Sequence, residues 1–235
     1  MTEATPDATD RDRLLRRRRL RHVGLLGVGL VVLVVGLVQI TSRGAESVTR
    51  SAAEVETATR EAGCAAQDVP AFPPQHIISE SDATPADELY PVRPPHSGPH
   101  FRRPVTPVGA FEEPVDERAA LQNMERGAVV LWFDPDAIDE SDRRSIADYV
   151  ERRNEMGFAQ GSRGGAGLIA APYPDGLASG KALALRTWHV AVDCDRFDPV
   201  AVDGFLAQNF GAHGPAPNAD IAGYPEDALR VVDSG

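Results

Sequence analysis

Apolar residues are concentrated in one run near the start of the chain, at residues 23–40. These eighteen residues carry no charge, and Gln39 is the only strongly polar side chain among them. At about 1.5 Å per helical residue the run extends about 27 Å, close to the hydrocarbon core of about 30 Å. The pattern predicts a transmembrane helix over 23–40. A cleaved signal peptide is the alternative, but its apolar region is usually shorter and residues 39–43 lack a small-x-small cleavage site.

The charges that flank this run predict its orientation. Seven arginines lie in residues 1–22, whereas residues 41–60 contain only Arg43, Arg50 and Arg60. Cytoplasmic flanks of membrane helices are enriched in Lys and Arg. We therefore expect a basic cytoplasmic tail over 1–22, a bilayer partner for 23–40, and a single-pass protein of the cell membrane whose later residues are extracytoplasmic.

The amino-acid composition of the chain changes twice after the apolar run. Residues 41–66 combine Glu, Arg and Ala with few large apolar side chains, which predicts a helical juxtamembrane stalk without a core of its own. Residues 67–114 contain eleven prolines, and proline prevents long helices and interrupts strand ladders. This Pro-rich segment is expected to be extended and rich in turns.

Alternating strand and helix patterns follow the Pro-rich segment. The apolar runs predict strands over 129–133, 168–173 and 182–192, and the helical patterns fall over 140–156 and 199–209. Asp198-Pro199 is a typical helix start, with an N-cap followed by proline. The order indicates an α/β (α+β) domain over 67–225, with a small mixed sheet, two packing helices and a tail over 226–235.

Connection lengths predict the strand directions. A helix joins 129–133 to 168–173, so these strands are expected to be parallel, as in a βαβ unit. The link to 182–192 is too short for a crossover, which favours an antiparallel neighbour. Helix 199–209 is expected to pack Val202, Phe205 and Leu206 onto the sheet. This arrangement resembles the second half of a thioredoxin-like fold, an analogy that carries no function.

The net charge of the chain limits the classes of macromolecule that it is expected to bind. The whole chain has a net charge of −11, and residues 1–22 contribute +3 from seven arginines and four acidic residues, which leaves −14 for the remainder. An acidic outer domain argues against nucleic-acid binding. An envelope protein remains a candidate partner.

The two cysteines, Cys64 and Cys194, both follow the predicted span. Disulfides persist outside the cytoplasm, and no other cysteine competes, so we expect these two to be joined. Free thiols and intermolecular pairing remain alternatives. The pair does not form a Cys-x-x-Cys redox motif.

Two motifs carry a resemblance to a known family. Residues 94–100 read Pro-Pro-His-Ser-Gly-Pro-His, and residues 123–127 read Asn-Met-Glu-Arg-Gly before the strand at 129–133. Over about residues 64–217 the chain resembles the bacterial, often membrane-anchored family catalogued as a domain of unknown function, DUF3105. The resemblance implies an architecture and no activity. Arg126 stands where the family usually has His, and Ala216 where it usually has Glu.

The same motifs supply the candidate site residues: His96, His100, Glu125 and Arg126. In the family pattern, His100, Glu125 and a His at position 126 would form a set of N and O metal ligands. Arg126 removes one of these ligands. His100 and Glu125 remain candidates for a divalent metal, and structural roles in hydrogen bonds are the alternative.

No complete catalytic set is visible. Ser97 lies in a Pro-rich turn rather than at a strand-to-helix elbow, and the glycine-rich loop 161–167 lacks the Lys-Ser/Thr of a phosphate-binding loop. We therefore expect a non-enzymatic envelope binding module without a cofactor. The alternative is a metal-binding or metal-dependent site at His100 and Glu125.

Overall fold

The computed structural model describes residues 47–77, 84–103, 105–160, 165–174, 176–212 and 224–233. The predicted cytoplasmic tail at 1–22 and transmembrane helix at 23–40 lie outside these residues. Within the described part of the chain, no helix has both the length and the apolar character needed to cross a membrane.

The described residues form ten strands and five α-helices. The strands are β1 Val48–Ser51, β2 Ala65–Ala66, β3 Gln75–Ile77, β4 Pro99–Phe101, β5 Gly109–Ala110, β6 Val129–Phe133, β7 Leu168–Pro172, β8 Leu183–Thr187, β9 Val190–Cys194 and β10 Leu229–Val232. The helices are α1 Ala52–Glu61, α2 Ala86–Leu89, α3 Glu117–Glu125, α4 Glu140–Arg153 and α5 Pro199–Asn209.

A six-stranded mixed sheet forms the centre, in the order β2-β9-β8-β6-β7-β5. Strands β6 and β7 are parallel with α4 between them, which confirms the predicted direction. Strand β8 is antiparallel, as predicted, but its neighbour is β6 rather than β7, the strand that precedes it in the chain. Helix α4 begins after the Asp139 N-cap and continues into a π-turn at Asn154–Phe158. The mixed α/β class is confirmed, while the thioredoxin-like analogy stays a prediction.

The predicted third strand over 182–192 is wrong in one respect, because it is a hairpin of two strands. Strand β8 turns through Trp188 and His189 into β9, and the two strands pair antiparallel. His189 adopts a positive φ of 63°, which lets the chain reverse within two residues. Asn and Gly are the usual signals for such a turn, and neither is present.

Each face of the central sheet buries its own apolar layer. Along β6, Val129, Leu131 and Phe133 pack with α4 and α5, while Val130 and Trp132 pack with α3. Successive side chains of a strand point to opposite faces, which separates the two layers. Val202, Phe205 and Leu206 of α5 are buried, as predicted. Helix α3 is an element that the sequence patterns missed.

The expected separate stalk over 41–66 is corrected by the packing of α1. The helix itself is confirmed, but Val55 and Ala58 are buried, and α1 lies against α5. Strand β1 pairs in parallel with β10, which falls in the predicted tail. Residues 47–66 and 229–232 are therefore parts of the domain. Helix α1 can lie close to α5 because small side chains form much of the contact between the two helices.

A buried ion cluster joins these peripheral elements. The fully buried carboxylate of Asp203 accepts hydrogen bonds from Arg153, Arg50 and the Tyr149 hydroxyl. The predicted Cys64–Cys194 disulfide is confirmed, and it lies beside the β2–β9 pair. The N-terminal elements are thus held by a covalent bond as well as by packing.

Candidate metal centre

His100 is placed by a short two-stranded ribbon on the α3 side of the fold. Strands β3 and β4 pair in parallel, and His76 is the register partner of His100. Directly paired residues project from the same face of a ribbon, so the two imidazoles are neighbours. Their ring centroids are 5.0 Å apart in an edge-to-face arrangement.

The turn before β4 fixes the tautomer of His100. Its Nδ1 lies 2.8 Å from the carbonyl oxygen of Gly98, which can only accept, so Nδ1 donates a hydrogen. Gly98 has a φ of 113°, a backbone conformation that side-chain-bearing residues rarely adopt. His100 is fully buried, and its Nε2 has no hydrogen-bond partner among the described residues. In the neutral imidazole this Nε2 therefore carries a free lone pair.

Glu125, the last residue of α3, faces this lone pair. Its Oε2 lies 3.3 Å from Nε2 of His100 and 3.6 Å from Nε2 of His76. Gln122, one turn earlier on α3, donates from Nε2 to the same oxygen at 2.7 Å. When Nε2 of His100 carries a hydrogen instead, its hydrogen bond to Glu125 is the main cause that lowers the pKa of Glu125 to about 2, against the opposing effect of burial.

The three ligand atoms have the spacing of a metal site. All lie within 4.8 Å of one another. Tetrahedral bonds of about 2.0–2.1 Å place neighbouring ligand atoms about 3.4 Å apart, close to the two distances from Glu125 Oε2 to the imidazole nitrogens. Two imidazole nitrogens and one carboxylate oxygen suit zinc and neighbouring divalent transition metals better than calcium or magnesium.

Contacts with neighbouring residues restrain the positions of the ligand side chains. The Trp188 ring lies edge-to-face against His100, with centroids 5.4 Å apart. Asn123 ties α3 to the preceding loop, since its side chain accepts from the Thr106 N–H and donates to the Thr106 carbonyl. The Tyr90 hydroxyl donates to the carbonyl of Pro99 at the start of β4. These contacts reduce the freedom of both His100 and Glu125.

The structure separates the four residues selected from sequence. His100 and Glu125 come together, whereas His96 and Arg126 are not members of the ligand group found within the described residues. His96 is buried, and burial, followed by the charge of Arg186, lowers its pKa to about 4. The Arg126 side chain lies close over Gly165.

Two further residues qualify the sequence hypotheses. His76 was missed, because only the pairing of β3 with β4 brings it to His100, and a lone histidine in a Pro-rich segment gives no signal of that pairing. Ser97, the rejected nucleophile, accepts a hydrogen bond from the backbone N–H of Phe72 at 2.9 Å. This contact connects the start of the Pro-rich segment to the turn before β4, which lies in the same segment.

Comparison with known proteins identifies a family. The sequence model of a family described as a protein of unknown function (DUF3105) matches residues 85–223, a range that includes His100 and Glu125 but not His76. No curated protein and no solved structure matches the chain.

Proposed function

The chain belongs to the DUF3105 family of proteins of unknown function, and we propose that its domain binds a divalent transition metal through His76, His100 and Glu125. The observation that carries the proposal is the buried Nε2 of His100. This nitrogen has no hydrogen-bond partner among the described residues, yet it faces a carboxylate oxygen at 3.3 Å. A cation between the two atoms satisfies both.

A proton on His100 is the competing explanation for this contact. It would form an ion pair with Glu125 and would leave the convergence of His76 on the same oxygen without a role. A metal ion uses all three atoms at once. The hydrogen bond from Gln122 then orients the ligating carboxylate, and the bond from His100 Nδ1 to Gly98 orients the imidazole, as outer contacts do in metal sites.

The chemistry of the three ligand atoms limits which metal ions the site can bind. Both cysteines are joined in the disulfide, so no thiolate is offered by this pair. Soft ions such as Cu(I) prefer sulfur ligands, whereas two imidazoles and a carboxylate suit Zn(II), Ni(II), Cu(II) or Fe(II). Zinc is the reference metal for the tests below.

The proposed location is outside the cell membrane, with 23–40 as a single anchor and residues 1–22 in the cytoplasm. The apolar run and the arginine asymmetry support this arrangement. The Cys64–Cys194 disulfide fits an oxidising compartment. Protease added to intact spheroplasts is expected to remove the domain. A protected domain, or a mature N-terminus near residue 42, would contradict the topology.

Metal binding is tested on the full chain purified without an affinity tag or chelator. We expect one zinc per chain by elemental analysis, and an affinity at least 100-fold weaker in Glu125→Gln, because the substitution removes a charged ligand and preserves its shape. Glu151→Gln is the matched control, since Glu151 is exposed on α4, across the sheet from α3. Equal zinc affinity in the two variants would refute the proposal.

A further inference from the structure

We propose that the metal in this site keeps one position for an exogenous ligand, a water molecule whose hydrogen is accepted by Oε1 of Gln122. This inference rests on the proposed metal site and adds an open, reactive coordination position to it. The ligand it takes is a small molecule bound through one atom, of the class of water, hydroxide and small inorganic anions.

The number of protein ligands is the first observation. Within the described ranges, the ligand group contains three residues: His76, His100 and Glu125. Zinc in proteins is almost always four-coordinate in closed structural sites, whereas three protein ligands plus a water are typical of open ones. The three described ligands match the number found in open sites, in which a ligand from solvent takes the fourth position.

Solvent access to the ligand set is the second observation. The His76 side chain is 48% exposed, whereas that of His100 is fully buried and that of Glu125 is 12% exposed. The site is thus exposed to solvent on the side of His76 and buried on the side of His100.

Gln122 supplies the third and most specific observation. Its side-chain nitrogen must face Glu125, because the amide oxygen would meet the carboxylate as a second acceptor. Its Oε1 is then a buried acceptor with no hydrogen-bond partner in the described chain, on a residue that is 3% exposed. A buried acceptor without a donor costs free energy. A water on the metal carries hydrogens that can be donated to this oxygen.

The hydrogen bond from a metal-bound water to Gln122 Oε1 would make the site distinguish between ligands that carry a hydrogen and ligands that do not. An anion such as azide offers no hydrogen to Gln122 Oε1 when it replaces the water. Gln122 therefore favours water over aprotic anions at the metal. Removing the amide should weaken this preference and increase the affinity for azide, even though the loss of the contact to Glu125 lowers the affinity for the metal.

The test uses the full chain loaded with Co(II), whose visible absorption reports coordination number and ligand exchange. We expect the intense absorption of a four-coordinate ion, and a saturable change when azide is added. Gln122→Met should bind azide at least threefold more tightly than the wild type. Gln208→Met is the matched control, since Gln208 is exposed on α5, and it should behave as the wild type does.

The outcomes separate this inference from the proposed function. Stoichiometric Co(II) binding with a spectrum that azide leaves unchanged would overturn the open position and leave metal binding intact. Equal azide affinity in Gln122→Met and the wild type would overturn the role of Gln122. Failure to bind Co(II) at all would overturn the proposed function, and this inference with it.

Discussion

Gly204→Ala should destabilise the domain, although alanine is the better helix former. Gly204 lies within α5, where replacement by alanine ordinarily stabilises a helix by about 0.5–1 kcal/mol. Here the added Cβ would lie 2.1 Å from Cγ1 of Val55 on α1. Overpacking of this kind costs about 1–3 kcal/mol, so the steric term should exceed the propensity term.

A double-mutant cycle with Val55→Ala isolates that contact. Val55→Ala alone should cost about 2 kcal/mol, because it removes two methyl groups from a buried position. In that background the nearest remaining Val55 atom, Cβ, is 3.4 Å from the new methyl, an ordinary contact. Gly204→Ala should then be neutral or stabilising, so its effect changes sign.

Urea denaturation of the full chain, followed by tryptophan fluorescence, measures each free energy of unfolding. The steric cost less the propensity gain leaves a net loss of about 1–2 kcal/mol, which corresponds to a fall in melting temperature of roughly 2–8 °C for a domain of this size. A stabilising effect of Gly204→Ala in both backgrounds would show that α1 does not pack on α5. The segment 47–66 would then be the free stalk that its composition predicts.

Three further predictions concern buried charge, the disulfide and pH. Asp203→Asn should cost about 3–5 kcal/mol in urea denaturation, because it leaves the buried Arg153 without its anion; an unchanged midpoint would contradict this. Reduction of Cys64–Cys194, 130 residues apart, should cost about 4–5 kcal/mol, measured as the shift in urea midpoint with and without reductant. Stability should fall as the pH is lowered from about 6.5 to about 4, because the unfolded chain binds a proton at His96 that the fold excludes. His96→Asn should flatten that part of the stability–pH curve, and an identical slope in this variant would refute the assignment.

Local patterns were sufficient for part of the fold. Strands β6 and β7 are continuous apolar runs, and α5 begins with a side-chain cap and a proline, so each has a signal within a few residues. The docking of α1 had no such signal, because it depends on the fit of Val55 against Gly204. The hairpin turn at His189 was missed because its positive φ occurs in a residue that rarely marks one.

The residues of the candidate site also fall into two groups, those that sequence motifs identify and those that only the fold brings together. His100 and Glu125 stand out in sequence motifs, and the structure brings them together. His76 reaches the site only through the register of β3 with β4, a pairing between segments that are distant in the chain. Arg126 is next to Glu125 in sequence, but its side chain lies over Gly165. Adjacency in a motif was therefore a poor guide to membership of the ligand set.

X-ray absorption of the zinc-loaded full chain tests the metal centre most directly. The proposed centre should show a first shell of nitrogen and oxygen at about 2.0–2.1 Å with the outer-shell scattering of two imidazoles, and no sulfur at about 2.3 Å. His76→Asn should reduce the imidazole contribution to one. A sulfur shell, or zinc surrounded by oxygen without imidazole scattering, would contradict the assignment of His76, His100 and Glu125 as ligands.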